Sequence, residues 1–327
     1  MASTDNPTLY DLAQAADASG KISAVVNIAS ESNPIVQNAT AQEANGYTSH
    51  TTIYGTDDVG GEWRSYNEGV APTHGGFRKV VETMAMLTAY SEVDKELADL
   101  NNNAKQWRFL QDKKKIDGIG KQIAETLIYG NQSTNPKTFN GIATRYNDLH
   151  GENADNIIDA GGTSGNLTSI YLGTWATEVC HLIYPKGSKS GLDIQDKGEV
   201  TLFDQDGKQF QGYRTYYKWD IGLALMDWRY WVRICNIDVN ALTKDAKAGA
   251  DLITLMTQAL ERLPSNKGRQ EFYMSAKLRE FLRLQISNKT LQSTLSLDTI
   301  AGKKVMTFDG LPVQRVDRIM HNEARVA

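Results

Sequence analysis

A few residues in this chain could do chemistry, but their spacing fits none of the common catalytic motifs. Gly120-Lys121 matches the end of a phosphate-binding loop, yet Gln122 follows it and Lys115 stands where the first glycine belongs. Thr163 occupies the position where a G-x-S-x-G nucleophile motif needs serine. The five histidines show no H-x-x-x-H spacing. We therefore expect no catalytic residue, no metal site and no cofactor.

Carboxylates beside a tryptophan leave one enzymatic alternative open. Asp57, Asp58 and Glu62 could supply a pair of carboxylates for glycoside hydrolysis, with Trp63 as a platform for a sugar ring. A solvated turn accounts for the same residues, because the separation of two carboxylates in space does not follow from sequence. We expect a protein that is not an enzyme, with a carbohydrate-active enzyme as the alternative.

Composition indicates a packed chain of about two domains with a mildly acidic balance. Of 327 residues, 40% are hydrophobic and 23% are charged, which is enough apolar material for a core. The 35 Lys and Arg residues against 39 Asp and Glu residues give a net charge of −4, which argues against a dedicated nucleic-acid binder. We find no signal-peptide pattern and no membrane-spanning apolar run.

The dominant predicted element is one helix from Asn103 to Gly130, whose ends suit an N-cap and a C-terminal stop. It would be roughly 40 Å long. Gly118 and Gly120 interrupt it at a cost of about 1 kcal/mol each relative to alanine, so either the helix bends there or another group packs close. Its apolar stripe consists of Ala104, Trp107, Leu110, Ile116, Ile119, Ile123 and Leu127.

An extended hairpin is predicted between residues 47 and 70. Residues 51–54 and 62–66 flank an acidic, glycine-bearing turn, which is typical of two paired strands. Large aromatic residues in so polar a segment need another surface to cover them, so we expect a subunit interface here, with an ordinary surface hairpin as the alternative. The predicted interface residues are Glu62, Trp63, Arg64, Tyr66 and Glu68.

The rest of the chain divides into a polar start and a strand-rich second half. Residues 1 to about 50 are rich in Ala, Ser, Thr and Asn, which favours an arm that orders only against another subunit; an unstructured terminus is the alternative. Ser91 and Asp94 approximate a capping box that opens a short helix. After a glycine-rich junction at residues 161–165, short strands follow, then helices over 248–263 and 276–284 and a closing hairpin over 304–317.

These segments resemble, in the same order, the major capsid proteins of tailed bacteriophages, which share the Hong Kong 97 fold. The likeness is carried by E-S-N-P-I at 31–35, by the hairpin, by I-Y-G-N and N-P-K-T-F-N-G-I within 128–142, and by D-G-L-P-V at 309–313. The first of these motifs is similar to a segment of capsid proteins from some short-tailed phages.

The resemblance implies an α+β fold with four parts. These are an N-terminal arm (1–46), an extended loop or E-loop (47–77), a peripheral domain with the long "spine" helix (78–150 and 295–327), and an axial α/β domain (151–294). In such shells the subunit changes shape during maturation, so Gly118 and Gly120 would be a hinge of the spine helix.

The resemblance also implies a function, which is self-assembly as hexamers and pentamers into the icosahedral head of a tailed phage around double-stranded DNA. The expected partners are other copies of the chain, portal, scaffolding and decoration proteins, and DNA held by non-specific contact, with no membrane. The expected location is the virion capsid, after assembly in the host bacterial cytoplasm. An encapsulin-like shell of a bacterial nanocompartment is the alternative with the same fold.

Overall fold

The computed structural model contains six α-helices and thirteen β-strands in the residues it describes. Those residues are 33–55, 60–100, 104–204, 206–246, 248–264, 267–288, 295–300 and 303–327. The helices are α1 (Ile35–Asn38), α2 (Lys95–Asp99), α3 (Ala104–Tyr129), α4 (Ile142–Arg145), α5 (Leu252–Glu261) and α6 (Ala276–Asn288). The strands are β1 (Ala41–Glu43), β2 (Ser49–Gly55), β3 (Phe77–Asp94), β4 (Ile157–Asp159), β5 (Leu167–Trp175), β6 (Cys180–Tyr184), β7 (Asp193–Phe203), β8 (Gln209–Leu225), β9 (Trp231–Asp238), β10 (Arg269–Met274), β11 (Leu295–Ile300), β12 (Lys303–Phe308) and β13 (Leu311–Arg315).

The strands form two sheets. The first has the order β1-β6-β8-β3-β2, with β7 also paired to β8, and the second has the order β11-β12-β13-β10-β5-β9-β4. One face of the second sheet packs against α5 and α6, and the other packs against the C-terminal half of α3. Ile170 and Leu172 of β5 belong to the first of these cores and Tyr171 to the second. Because both faces of the sheet are covered, every residue of β5 is buried.

Helix α3 confirms the predicted spine element. It runs through both glycines without interruption and is 26 residues long, roughly 39 Å. Trp107, Ile119 and Leu127 of the predicted stripe are buried, whereas Ile116 is 37% exposed, contrary to prediction. The N-terminal half of α3 covers only a small cluster with Val93, so its stripe is less completely buried. The predicted N-cap residue lies outside the described residues.

The turn that follows α3 requires glycine at both of its ends. A Cβ atom on Gly130 would lie 2.3 Å from the carbonyl oxygen of Phe139, and one on Gly141 would lie 2.6 Å from the carbonyl oxygen of Ile128. The Gly141 N–H donates to the Gly130 carbonyl at 2.8 Å. The backbone segments at the two ends of the turn lie so close that no side chain fits between them, which explains both glycines of the 128–142 motif.

The hairpin differs from its prediction. Strand β2 pairs with β3, so that Ser49 faces Thr83 and Gly55 faces Phe77, while residues 60–76 contain no strand. The predicted return strand over 62–66 is therefore wrong. Residues 60–76 contain Pro72 and several glycines, which disfavour pairing, whereas the longer run from Phe77 can bond to β2 and then to β8.

The short helix after β3 also begins later than predicted. Ser91 stays in β3 and faces Thr215 of β8. The N-cap is Asp94, whose side chain accepts hydrogen bonds from the backbone N–H groups of Glu96 and Leu97 at 2.8 and 3.3 Å. Pairing with β8 holds the backbone extended through the predicted capping box and moves the start of the helix by one turn.

The described end of the predicted arm belongs to the subunit. Ile35 of α1 is 1% exposed within the main core, and Asn38 Nδ2 donates to Glu271 Oε2 of β10. Strand β1 pairs in parallel with β6, so that Ala41 faces Leu182. Residues 33–46 are therefore ordered by contacts within the chain, which corrects the expectation that they need another subunit. Residues 1–32 lie outside the described residues.

The sheets cross the predicted domain boundaries. The first sheet joins β3 to β6, β7 and β8, and the second joins β12 and β13 to β5, β9 and β10. Each sheet thus contains strands from segments that the prediction assigned to the peripheral and to the axial domain. These two terms describe positions within a capsomer, so the four-part division stays a prediction about the assembled shell.

Candidate assembly surfaces

The loop between β2 and β3 presents two aromatic side chains to solvent. Trp63 and Tyr66 expose 102% and 101% of their reference areas, so neither packs on its own subunit. Glu62, Arg64 and Glu68 are exposed on the same loop. The structure thus brings all five predicted interface residues together on one surface segment. An aromatic pair this exposed is the kind of group that anchors protein interfaces.

Local hydrogen bonds shape the loop around these aromatic residues. Arg64 Nη1 donates to the Glu68 carbonyl oxygen at 3.1 Å, and the Ser65 N–H donates to Glu68 Oε2 at 2.9 Å. The Glu68 N–H donates back to the Ser65 carbonyl at 3.3 Å, and Asn67 takes a positive φ of 67°. Arg64 and Glu68 therefore bond to the loop's own backbone and form a local turn between the two aromatic residues.

An ion pair fixes the hairpin to the body of the subunit. Arg145 on α4 contacts Glu82 on β3 with two parallel bonds, both 2.7 Å, and the two side chains are 18% and 9% exposed. Arg145 Nε also donates to the Asn140 carbonyl at 3.2 Å, and Nη2 donates to the Leu223 carbonyl at 3.3 Å. Bidentate geometry with further bonds makes this pair a specific tie between β3 and the turn after α3.

Two buried histidines contact each other near the place where the β2–β3 hairpin joins the rest of the subunit. The His50 ring lies 5.8 Å from the His181 ring at an interplanar angle of 85°, and the residues are 9% and 1% exposed. Burial lowers the pKa of His181 to about 4, and His50 adds to this shift. Burial also lowers the pKa of His50, against the opposing effect of the Glu82 carboxylate. His181 is therefore uncharged at pH 7.

We expect the subunit to lose stability as the pH falls from 7 to 5. The unfolded chain takes up a proton at His181 near pH 6.5, whereas the folded chain resists until about pH 4. The difference in proton uptake at His181 costs almost no stability above about pH 6.5. At pH 5 it lowers the free energy of unfolding by about 2 kcal/mol. Thermal melts of the unassembled subunit at both pH values measure the loss. His181→Gln should flatten the dependence and the exposed control His74→Gln should not; an unchanged dependence in His181→Gln contradicts the assignment.

A buried network of Arg233, Glu323 and Tyr129, which we call the clasp, joins the C-terminal tail to the spine helix and the second sheet. Arg233 Nη2 of β9 contacts Glu323 Oε2 at 2.7 Å, and both side chains are 5% exposed. Tyr129 at the end of α3 donates its hydroxyl to Glu323 Oε1 at 2.5 Å. Arg233 Nη1 also donates to the carbonyls of Ala143 and Tyr146 at 3.0 and 2.8 Å. This network fixes the end of the spine helix relative to the sheet.

The spine glycines face open space. A Cβ atom added to Gly118 or Gly120 would meet no atom of the described residues within 4 Å, apart from the adjacent backbone of its own helix. Gly118 also lines a groove of about 500 Å³ between α3 and residues 89–92 of β3. Close packing within the subunit therefore does not explain these glycines, and the hinge role stays a prediction.

The sequence did not predict the roles of the Arg145–Glu82 pair, the His50–His181 pair or the residues of the clasp. Three of them lie within apolar runs: Glu82 within V-V-E-T-M-A-M, His181 within V-C-H-L-I-Y and Arg233 within W-V-R-I-C. A polar residue in such a run is buried and needs a partner, and this was the available signal. Their partners are 63 to 131 positions away, which no local pattern identifies.

The described residues give no support to a metal site or a membrane span. None of their His, Cys, Asp and Glu side chains form a group of three or more that could hold a metal ion. None of their helices is long and apolar enough to cross a membrane. Of the residues considered for glycoside chemistry, Glu62 is exposed on the loop, and Asp57 and Asp58 lie outside the described residues.

Comparison with known proteins shows the family. A family model described as "Major capsid protein GP7" matches residues 17–327. No curated protein matches the chain. A solved structure of bacteriophage Epsilon15 is similar, with 31% identity and a TM-score of 0.77 over 100% of this chain and 99% of that chain. The capsid of bacteriophage JBD30 is 10% identical, with a TM-score of 0.54 over 89% of this chain and 92% of that chain.

The family match spans nearly the whole chain, which therefore belongs to the major capsid proteins of tailed phages. Its fold is the α+β Hong Kong 97 type, and its role is structural: it forms the shell and is a component of the virion. The predicted family, fold class and shell-forming function are confirmed. The SrpI encapsulin of Synechococcus elongatus is 10% identical, with a TM-score of 0.45 over 68% of this chain and 93% of that chain, too distant a likeness to support the nanocompartment alternative.

Proposed function

We propose that the chain assembles as hexamers and pentamers into an icosahedral head that encloses double-stranded DNA, and that it catalyses no reaction. The observation that carries the proposal is the fully exposed aromatic pair on the loop at residues 60–76, which no surface of the described residues covers. A neighbouring copy supplies that surface. Assembly takes place in the host bacterial cytoplasm, with portal, scaffolding and decoration proteins as further partners.

In this proposal the parts of the chain take distinct positions in the shell. Residues 47–77 form the E-loop that lies on a neighbouring subunit, and residues 1–46 form the N-terminal arm. The peripheral domain contains α3, and the axial domain lies within residues 151–294. The hydrogen bond from Tyr129 to Glu323 supports the grouping of the C-terminal tail with α3, and the Arg233–Glu323 ion pair joins the same tail to β9 of the axial segment.

Sedimentation and negative-stain imaging of the expressed protein test this function directly. Closed megadalton particles are expected, and DNA that resists nuclease should be found inside particles made during infection. A protein that stays at the size of the monomer under all assembly conditions, with or without its phage partners, contradicts the proposal. Hydrolysis of a glycoside by such a monomer would favour the carbohydrate-active alternative.

The spine glycines lead to a prediction on maturation. The double change Gly118→Ala and Gly120→Ala is expected to stabilise the unassembled subunit by roughly 1–2 kcal/mol, because alanine favours helix and both sites are open. If the glycines are the hinge, precursor shells form but expand more slowly or only at higher temperature. Denaturant unfolding and time-resolved scattering measure the two effects.

A glycine of the following turn provides the matched control for this experiment. Gly130→Ala should destabilise the subunit, because its new Cβ atom would lie 2.3 Å from a backbone oxygen. Normal expansion in the doubly substituted shells, despite the gain in subunit stability, would eliminate the hinge role.

A further inference from the structure

Three arginines line one small cavity beside α6. Arg279 and Arg283 lie one turn apart on this helix, and Arg315 is the last residue of β13. The cavity has a volume of about 340 Å³, which is at the small end of the range for binding pockets. The remaining lining residues are Ala276, Glu280 and Leu284.

The described residues neutralise only part of this positive charge. Arg315 Nε donates to Asp317 Oδ1 at 2.5 Å, but no carboxylate of the described residues pairs with Arg279 or Arg283. Arg283 Nε donates only to the weakly accepting sulfur of Met306 at 3.3 Å, and Arg279 Nε is buried without a hydrogen-bond partner. Burial and the charges of Arg283 and Arg315 lower the pKa of Arg279. An anion from outside the subunit would relieve this repulsion.

The surroundings favour a protein carboxylate over a nucleic-acid phosphate. Ala276 and Leu284 lie beside the arginines and suit the methylene groups of an acidic side chain better than a sugar-phosphate backbone. Glu280 and Asp317 stand beside the arginines and repel a polyanion. Exposed carboxylates such as Glu96 and Glu178 are accessible to a neighbouring copy in the shell.

We propose that the cavity of Arg279, Arg283 and Arg315 binds an Asp or Glu side chain of a second copy of this chain across a subunit contact. The proposal rests on the shell-forming function. Guanidinium groups suit this task, because they hold a carboxylate through two parallel hydrogen bonds and remain charged when partly buried. Long-range attraction between the cavity and the incoming carboxylate would speed assembly.

Assembly kinetics test the proposal first. In Arg279→Gln/Arg283→Gln the initial rate of shell formation at low salt should fall roughly tenfold or more, with weaker salt dependence, while the unassembled subunit keeps its melting temperature. The control Arg325→Gln removes another exposed arginine and should assemble like the wild type. Should the double variant not fold, Arg283→Gln alone, at an exposed position, carries the same test. A wild-type rate and salt dependence in the folded variant would overturn the proposal, whereas a wild type that never assembles would refute the shell function instead.

Zero-length crosslinking identifies the occupant. In shells of Arg283→Lys, mixed from isotope-labelled and unlabelled subunits, a carbodiimide should join the introduced lysine to an Asp or Glu of a different copy, seen as a mixed-label peptide pair. Crosslinks within one copy only, to Glu280 for example, would contradict the proposal. Loss of binding to a double-stranded DNA oligonucleotide in Arg279→Gln/Arg283→Gln, with normal assembly, would assign the cavity to nucleic acid.

Discussion

Glu323→Ala is expected to lower the free energy of unfolding of the subunit by about 3–5 kcal/mol. The change leaves the Arg233 guanidinium without its carboxylate, although its side chain is only 5% exposed. It also removes the acceptor of the Tyr129 hydroxyl at the end of the spine helix. A loss of this size is a large fraction of the stability of a typical domain. Urea unfolding of the unassembled subunit measures it.

Two further variants of the C-terminal tail separate the effect of the clasp from general effects of substitution. Arg325→Ala, two residues further along the same tail, should change stability by no more than about 0.5 kcal/mol, because its side chain is exposed. Glu323→Gln keeps an acceptor but removes the charge, so it should fall between Glu323→Ala and the wild type. If Glu323→Ala unfolds at nearly the wild-type urea concentration, the clasp does not stabilise the subunit as its geometry suggests.

Trp63→Ala is expected to weaken the shell strongly while leaving the unassembled subunit unchanged. The Trp63 side chain is fully exposed in the described part of the chain, so its removal should change the unfolding free energy of the subunit by no more than about 0.5 kcal/mol. As an anchor on a neighbouring copy it should contribute about 2 kcal/mol or more per contact, and symmetry repeats each contact across the shell. Thermal melts of free subunits and of shells distinguish an effect on the subunit from an effect on the contacts between subunits.

Trp63→Phe is the matched control for the anchor. It retains an aromatic ring at the same place on the loop, and shells should keep most of their stability. Arg64→Ala removes the bond to the Glu68 carbonyl, so it should weaken assembly by disturbing the turn beside the ring. Shells of Trp63→Ala that form and melt like the wild type would show that the neighbouring copy does not cover this residue.

Features encoded in consecutive residues followed from the sequence alone. The spine helix was predicted nearly to its ends, because apolar spacing and a terminal glycine act within one or two turns. The β12–β13 hairpin was predicted from Asp309-Gly310, which take the positive φ values of 49° and 79° that a two-residue turn requires. Trp63 and Tyr66 lie outside the core of their own chain, as their polar segment indicated, and their cover by a neighbouring copy stays a prediction.

Features that depend on distant residues were decided only by the tertiary structure. Strand β3 pairs with β2 and β8, and this pairing set the true return strand and moved the helix start from Ser91 to Asp94. The parallel pairing of β1 with β6 brought residues 33–46 into the subunit. Arg145 and Arg233 pair with carboxylates that are 63 and 90 positions away in the sequence. Pairing and charge burial depend on which segments meet in space, and a local sequence pattern does not encode that choice.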